Sequence, residues 1–221
     1  MNTERLILFT GHFGSGKTEI AINYAINSAK SGHKTILVDL DIVNPFFRST
    51  EVKDQLEAQG VKLISPNFAA TTVDVPSLPA ELYSVFADKS AKLIFDVGGD
   101  EVGARALGQY FPHFQKESYR MYYVINTRRP MSATKEDILD MMQEIQVKSR
   151  LKVTDLVNNT NLSYETTIYD IIDGNDLVKE VSRSVNIPIA YTSGLKELLD
   201  QLPEDLEGEL YPISIYMKPP W

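Results

Sequence analysis

The hydrophobic pattern of the chain alternates between two periods. Short, near-continuous apolar runs occur at Leu6–Phe9, Thr35–Val38, Val61–Ile64, Lys92–Phe95, Met121–Ile125, Asp155–Val157 and Ile187–Ala190. Runs of this length predict strands covered on both faces, the habit of parallel sheets. Between them, apolar positions recur at helical spacing. Residues 17–31 carry Ile20, Ala21, Tyr24, Ala25 and Ser28 and stop at Gly32, a helix-ending signal. Residues 132–147 carry Ile138, Met141, Met142 and Ile145 behind Ser132, Lys135 and Glu136. Residues 164–183 carry Ile168, Ile171, Ile172 and Val178, with Gly174 as a weak point in the middle. This rhythm predicts an α/β fold in three layers, a mainly parallel central sheet of about seven strands with helices on both faces.

Turn signals at Pro66-Asn67, Pro76 and Pro79 make residues 65–80 a loop. It is long for a compact domain, which predicts either a functional lid or poor order. No repeat or low-complexity tract divides the chain, so residues 1–221 read as a single domain with room for a sizeable core. After Pro203 the chain is acidic and then ends in an apolar, aromatic stretch from Ile213 to Trp221. This C-terminal piece after Pro203 reads as a tail that packs on the domain or on a partner.

Residues 11–18, Gly-His-Phe-Gly-Ser-Gly-Lys-Thr, satisfy the phosphate-loop pattern G-x-x-x-x-G-K-[ST]. The motif follows a predicted strand and opens a predicted helix, the context it requires. Its backbone N–H groups form an anion-binding nest at a helix N-terminus. Gly11, His12, Phe13, Gly14, Ser15, Gly16, Lys17 and Thr18, with Glu19 next in the helix, are the candidate nucleotide-binding residues. Lys17 is placed to reach β- and γ-phosphates, and the Thr18 hydroxyl to ligate Mg²⁺. The second strand ends in Asp39-Leu40-Asp41, and alternation puts both acids on one side. A later strand ends in Asp96-Val97-Gly98-Gly99-Asp100. Ligands of open α/β sheets sit beyond the carboxyl ends of the strands. Asp96 has the position of an acid that holds Mg²⁺, often through water. Asp100 serves equally well as a helix cap.

Charge and composition narrow the classes. Lys and Arg number 22 against 30 Asp and Glu, a net charge of −8, which argues against nucleic-acid and anionic-membrane partners. The absence of cysteine excludes disulfides, thiolate zinc sites and cysteine-held iron–sulfur clusters. The three histidines, His12, His33 and His113, lack metal-ligand spacing. No run approaches the ~20 apolar residues of a membrane span, and the N-terminus lacks a signal-peptide profile. The expectation is a cytoplasmic protein.

The phosphate loop, Asp39-Leu40-Asp41 and Asp96-Val97-Gly98-Gly99 together resemble the MinD/ParA family of P-loop ATPases, the deviant Walker A, SIMIBI type with the CobQ/CobB/MinD/ParA nucleotide-binding domain. Nitrogenase iron protein and carbon monoxide dehydrogenase accessory ATPases are members. The resemblance implies a P-loop NTPase fold with ATP and Mg²⁺ as cofactors. It implies hydrolysis coupled to a conformational or assembly change in a client protein, and a nucleotide-dependent homodimer. Lys17 and Asp41 become the catalytic pair, with Asp41 positioning the attacking water. Thr18, Asp41 and Asp96 become the metal-site residues. Asn158, in Leu156-Val157-Asn158-Asn159, matches the family's adenine-recognising asparagine; a strand-end turn residue is the alternative.

One departure matters. Many members carry a lysine early in the loop that reaches the nucleotide of the other subunit. Here His12 takes that place and Phe13 replaces a glycine. Arg48, Arg128 and Arg129 are candidate substitutes for the charge. The acidic, proline-broken segment from Glu197 to Asp205 does not fit the basic C-terminal helix of membrane-binding members. Two other functions share the fold: a ligase or kinase related to dethiobiotin synthetase or cobyrinate amidase, its substrate lined by residues 65–80 and Tyr110–His113, and a binding switch with negligible turnover. No Asn-Lys-x-Asp guanine motif is present, which speaks for ATP over GTP.

Overall fold

The computed structural model describes residues 4–41, 50–65, 81–99 and 101–217. Arg48, the loop over 66–80, Asp100 and the last four residues of the tail lie outside the described residues. The elements run β1 (Leu6–Thr10), α1 (Lys17–Lys30), β2 (Lys34–Leu40), α2 (Thr50–Ala58), β3 (Val61–Ile64), α3 (Glu81–Ala87), β4 (Ala91–Val97), α4 (Glu101–Gln109), α5 (Phe111–Phe114), β5 (Tyr119–Ile125), α6 (Lys135–Ser149), β6 (Asp155–Asn158), α7 (Ile168–Val185), β7 (Ile189–Gly194), α8 (Lys196–Leu199) and β8 (Glu209–Pro212).

The strands form one sheet of 8, in the order β3-β2-β4-β1-β5-β6-β7-β8. Every pairing is parallel. The expected seven strands are all present, and β8 is an addition: part of the presumed tail pairs with β7 from Tyr191↔Glu209 to Gly194↔Pro212. Pro212 is compatible with that place because an edge strand need not donate on its outer side.

Alternation along the strands divides the core in two. Leu6 and Leu8 of β1, Ile36, Val38 and Leu40 of β2, and Met121, Tyr123 and Ile125 of β5 face one cluster, with residues of α3, α4, α6 and α7. Ile7 and Phe9, Leu37, Ile94, and Tyr122 and Val124 face the other, with α1 and Leu56 of α2. The period of two thus buries each central strand on both faces. It also places the acids. Asp39 shares the parity of Leu37 and Asp96 that of Ile94, so both lie on the α1 side.

The helices follow local signals. The Thr134 side chain accepts the Asp137 N–H at the start of α6, and Thr167 with Asp170 forms a capping box on α7. Both are N-terminal caps of the usual kind. The predicted starts at 132 and 164 fall instead on short 3-10 turns, Pro130–Ser132 and Ser163–Glu165. Gly174 does not interrupt α7. A Cβ there would lie 2.1 Å from Thr160 Oγ1, so glycine is the residue that lets α7 approach the β6 loop.

Candidate nucleotide site

The phosphate loop spans the turn between β1 and α1. β1 lies between β4 and β5 in the sheet, and its helix α1 packs on one face while α6, which follows β5, packs on the other. The connections diverge here, which opens a crevice at the strand carboxyl ends. Gly14 and Gly16 take positive φ of 76° and 83°, backbone that glycine adopts without penalty. Lys17 is the first residue of α1, so the loop's N–H groups and the helix N-terminus converge.

The loop is held from three sides. Asn159 Nδ2 donates to the Ser15 carbonyl at 2.7 Å, and Asn159 Oδ1 accepts from the Ser193 hydroxyl at 2.9 Å. Arg129 Nε donates to the Gly14 carbonyl at 3.1 Å. Gly99 packs so closely that a Cβ on it would lie 2.6 Å from the Gly11 carbonyl oxygen and 2.7 Å from the Phe13 nitrogen. The β4 end therefore touches the loop through backbone alone, and any larger residue would displace one or the other.

The three acids meet beneath the loop. Asp39 and Asp96 are direct neighbours across the β2–β4 pair. Asp39 Oδ1 accepts the Asp41 N–H at 2.8 Å, and Lys17 Nζ lies 3.7 Å from Asp41 Oδ2. Lys17, Thr18, Asp39, Asp41 and Asp96 are all buried. Among the described residues, neither carboxylate oxygen of Asp96 has a hydrogen-bond partner, and the buried hydroxyls of Ser15 and Thr10 share that state. Burial pushes Asp96 up to about 6; the Lys17 charge and the Thr18 hydroxyl, which is close by but outside hydrogen-bond geometry, pull against it, and Asp41 adds to it. Burial also holds Asp39 well above the usual carboxylate range, with the Asp96 charge as the next cause. Buried carboxylates without partners are rare because desolvation is costly.

Two cavities adjoin the loop. One, of about 180 Å³, is lined by Phe13, Gly14, Gly16, Lys17, Thr18, Glu19 and Met217. The second, about 270 Å³, lies beside it toward β6 and β7, where Arg129, Asn159, Thr160, Asn161, Tyr164 and Leu198 contribute to its wall.

Not every expected residue reaches these cavities. Asn158 does not: its amide donates to the Ile171 carbonyl and its oxygen accepts from the Thr160 N–H and hydroxyl. It shares the parity of Leu156 and so faces α7; its neighbours Asn159 and Asn161 line the cavity instead. Glu19 stands at the cavity edge, but its carboxylate accepts the backbone N–H groups of Tyr216 and Met217. His12 Nδ1 lies 2.9 Å from the Phe13 carbonyl oxygen, turned back on its own loop. Of the substitute arginines within the described residues, Arg128 is bound to Asp170 and Asp173, each at 2.8 Å, and Arg129 is at the site. Tyr110 and His113 stack on Phe86 and lie against Tyr83 and line neither of these two cavities; residues 66–80, the rest of the expected substrate wall, lie outside the described residues. Asn159, Arg129 and Ser193 are contributors that the sequence did not single out for holding the loop.

Among the described residues no helix is long and apolar enough to cross a membrane. No curated protein matches the chain. Solved structures do. A chloroplast FtsY from Physcomitrella patens matches at 15% identity and TM-score 0.52, covering 86% of this chain and 58% of its own. FtsY from Thermotoga maritima matches at 15% identity and TM-score 0.53, with 85% and 60% covered. A nucleotide-binding protein from Archaeoglobus fulgidus, solved in complex with ADP, matches at 14% identity and TM-score 0.52, with 89% and 84% covered. The chain thus spans about 60% of the two FtsY chains, and identities at this level show the fold alone. The sequence itself carries the family: residues 7–197 match the model of the CobQ/CobB/MinD/ParA nucleotide-binding domain, CbiA. The chain belongs to the CobQ/CobB/MinD/ParA nucleotide-binding family of P-loop NTPases.

Proposed function

We propose that the chain binds ATP with Mg²⁺ and hydrolyses it, coupling turnover to a conformational or assembly change in a partner protein. The observation that carries this reading is Asp96, buried at the end of β4 beside Lys17 and Thr18 with both carboxylate oxygens lacking a hydrogen-bond partner among the described residues. A cation among phosphate oxygens offsets that cost; a purely structural aspartate would have acquired donors. The donor set suits Mg²⁺, which takes hard oxygen ligands and retains water and phosphate oxygens in its shell.

The residues divide the work. Lys17 and the loop N–H groups hold β- and γ-phosphate oxygens and stabilise charge on the transferring group. Thr18 and Asp96 hold the metal, which when bound neutralises phosphate charge. Asp41, within 3.7 Å of Lys17, accepts a hydrogen bond from water and orients it. The larger cavity takes the base, its wall combining apolar residues with Asn159 and Asn161, whose side chains are held by hydrogen bonds within the loops. Support for adenine comes from the ADP complex of the Archaeoglobus protein and from the lack of a guanine motif. Phe13 and Tyr164, 55% and 74% exposed at the cavity mouths, offer apolar surface to a partner or second copy. The test is calorimetric titration with Mg-ATP. Lys17→Ala is expected to lose binding while the fold is kept, since a charge-assisted contact in a dry site is worth about twice a neutral one. Equal affinity in both proteins would refute the assignment.

A further inference from the structure

The chain leaves β8 along α1. Beyond Pro212, residues 213–217 run as an extended strap toward the phosphate loop. The Asn27 side chain donates to the Tyr211 hydroxyl at 3.0 Å. One turn nearer the loop, Asn23 brackets Ser214: its Oδ1 accepts the Ser214 N–H and its Nδ2 donates to the Ser214 carbonyl, each at 2.9 Å. Another turn on, Glu19 accepts the Tyr216 and Met217 N–H groups at 2.5 and 3.1 Å. Glu19, Asn23 and Asn27 are spaced by four, so they form one stripe on α1. Every tether is made to strap backbone except the one at Tyr211.

The strap's side chains face the cavities. Ile213, Ile215 and Met217 form part of the wall of the larger cavity, together with Leu195 and Leu198. Met217 also borders the smaller one, beside Lys17 and Thr18. The strap thus supplies apolar surface to the pocket that the nucleotide reading assigns to the base, and its last tether is two residues from Lys17. Burial raises the Glu19 carboxyl and the two N–H groups oppose that shift, as expected for a partly desolvated acid whose role is to accept.

We propose that Glu19 is a positioning residue: it locks the strap of residues 213–217 as the movable wall of the base pocket, so base binding and strap docking reinforce each other. This rests on the nucleotide assignment above. It separates Glu19 from the phosphate and metal contacts that its place beside Lys17-Thr18 suggests. Because two ligands that require the same ordered element help each other, ATP is expected to hold the strap down, and a ligand without a base is not.

The test compares Mg-ATP with Mg-tripolyphosphate, which offers phosphates and no base, on the full chain. Glu19→Ala is expected to weaken Mg-ATP binding about 10-fold, the scale of a lost charge-assisted hydrogen bond, with tripolyphosphate affinity within about twofold of wild type. Asn23→Ala, a further turn away from the loop, should reproduce the ligand selectivity at smaller size. Glu19→Gln, which keeps an acceptor oxygen, should restore part of the loss. Amide hydrogen exchange at Tyr216 and Met217 should quicken in Glu19→Ala with no ligand present, and in wild type it should slow with Mg-ATP and not with tripolyphosphate. Equal weakening toward both ligands, or faster exchange with unchanged Mg-ATP affinity, would overturn the proposal. A wild-type protein that binds neither ligand would instead remove the nucleotide reading, and is told apart by failing before any variant is compared.

Discussion

Asp96→Asn should stabilise the nucleotide-free protein. The wild-type carboxyl is buried, lacks hydrogen-bond partners among the described residues, and is pushed from 3.8 to about 6 by that burial. The folded state therefore holds the proton more tightly than the unfolded chain. Stability falls as pH rises from about 3.8 through 6, and the full penalty is present above that window. At about 1.36 kcal/mol per pH unit, the penalty at neutral pH is about 3 kcal/mol. Asparagine removes the charge but leaves an amide short of partners, which costs about 1–2 kcal/mol. The net gain is then about 1–2 kcal/mol, or roughly 2–8 °C in Tm for a chain of this size. Asp39 adds to the gain, because part of its own elevation comes from the Asp96 charge. Lys17 is not stranded, since Asp41 remains 3.7 Å away. Thermal unfolding in chelator without nucleotide measures this at pH 7.5 and pH 4.5. The gain should be present at the higher pH and shrink at the lower, where the wild-type carboxyl is itself protonated. A variant that melts at or below wild type at pH 7.5, or that keeps the same gain at pH 4.5, would refute the reasoning. Saturating Mg-ATP should reverse the order, because a ligand stabilises the form that binds it more tightly.

Two further outcomes are expected. Asp41→Ala should lose hydrolysis while ATP affinity stays within roughly threefold, since a group acting mainly in the transition state changes turnover more than binding; single-turnover rates beside equilibrium affinity check this, and loss of turnover in Asp39→Ala with Asp41→Ala active would move the role to Asp39. Light scattering should show a larger species with Mg-ATP than with Mg-ADP, retained in Asp41→Ala, because nucleotide must bind the assembled form more tightly to shift the equilibrium; a monomer in every state that still turns over ATP would refute the homodimer.

What could be read from the sequence follows from how each element is buried. The inner strands show as apolar runs because their faces are covered, and β3, at the other edge, still keeps Val61 and Ile64 buried. β8 escapes because Glu209-Leu210-Tyr211-Pro212 lies at an edge and is largely exposed, leaving no apolar run to detect. α4 was signalled only by Asp100 as a cap: Gly103 and Gly108 lower its helical pattern, yet their missing side chains are what the packing demands. A Cβ at Gly103 would lie 2.5 Å from the Gly98 backbone, and one at Gly108 2.8 Å from the Lys148 carbonyl. The phosphate loop and the three acids were legible because their chemistry is carried by residue type at fixed spacing. Asn159 was not preferred over Asn158, although strand parity separates them: Asn158 continues the face of Leu156 toward α7, and the next residue turns to the loop. A packing tail was expected from the apolar end, but its path was not legible, because its tethers are backbone groups and Glu19, 197 positions from Tyr216, gives no sign of its partner.

The two halves of the site are built on opposite principles. The donor half is satisfied and held: Asn159, Arg129 and the close pass of Gly99 pin the loop carbonyls and backbone, so its N–H groups are oriented before any anion arrives. Preorganised dipoles of this kind lose little reorganisation energy on binding. The acid half is strained by burial: Asp39, held by one backbone N–H, and Asp96 lie side by side on neighbouring strands with elevated pKa values. A fold selected for stability alone would replace one of them with a neutral residue, which is why Asp96→Asn is expected to melt higher. Retaining both makes sense where a cation completes the site, since cation binding lowers the proton affinity of each acid and converts a folding cost into ligand affinity. The same electrostatics then link occupancy to shape. With the acids neutralised, the Gly98-Gly99 backbone beyond Val97 is well placed to respond, because Gly99 packs directly against the phosphate loop and Gly98 packs directly against Gly103 of α4.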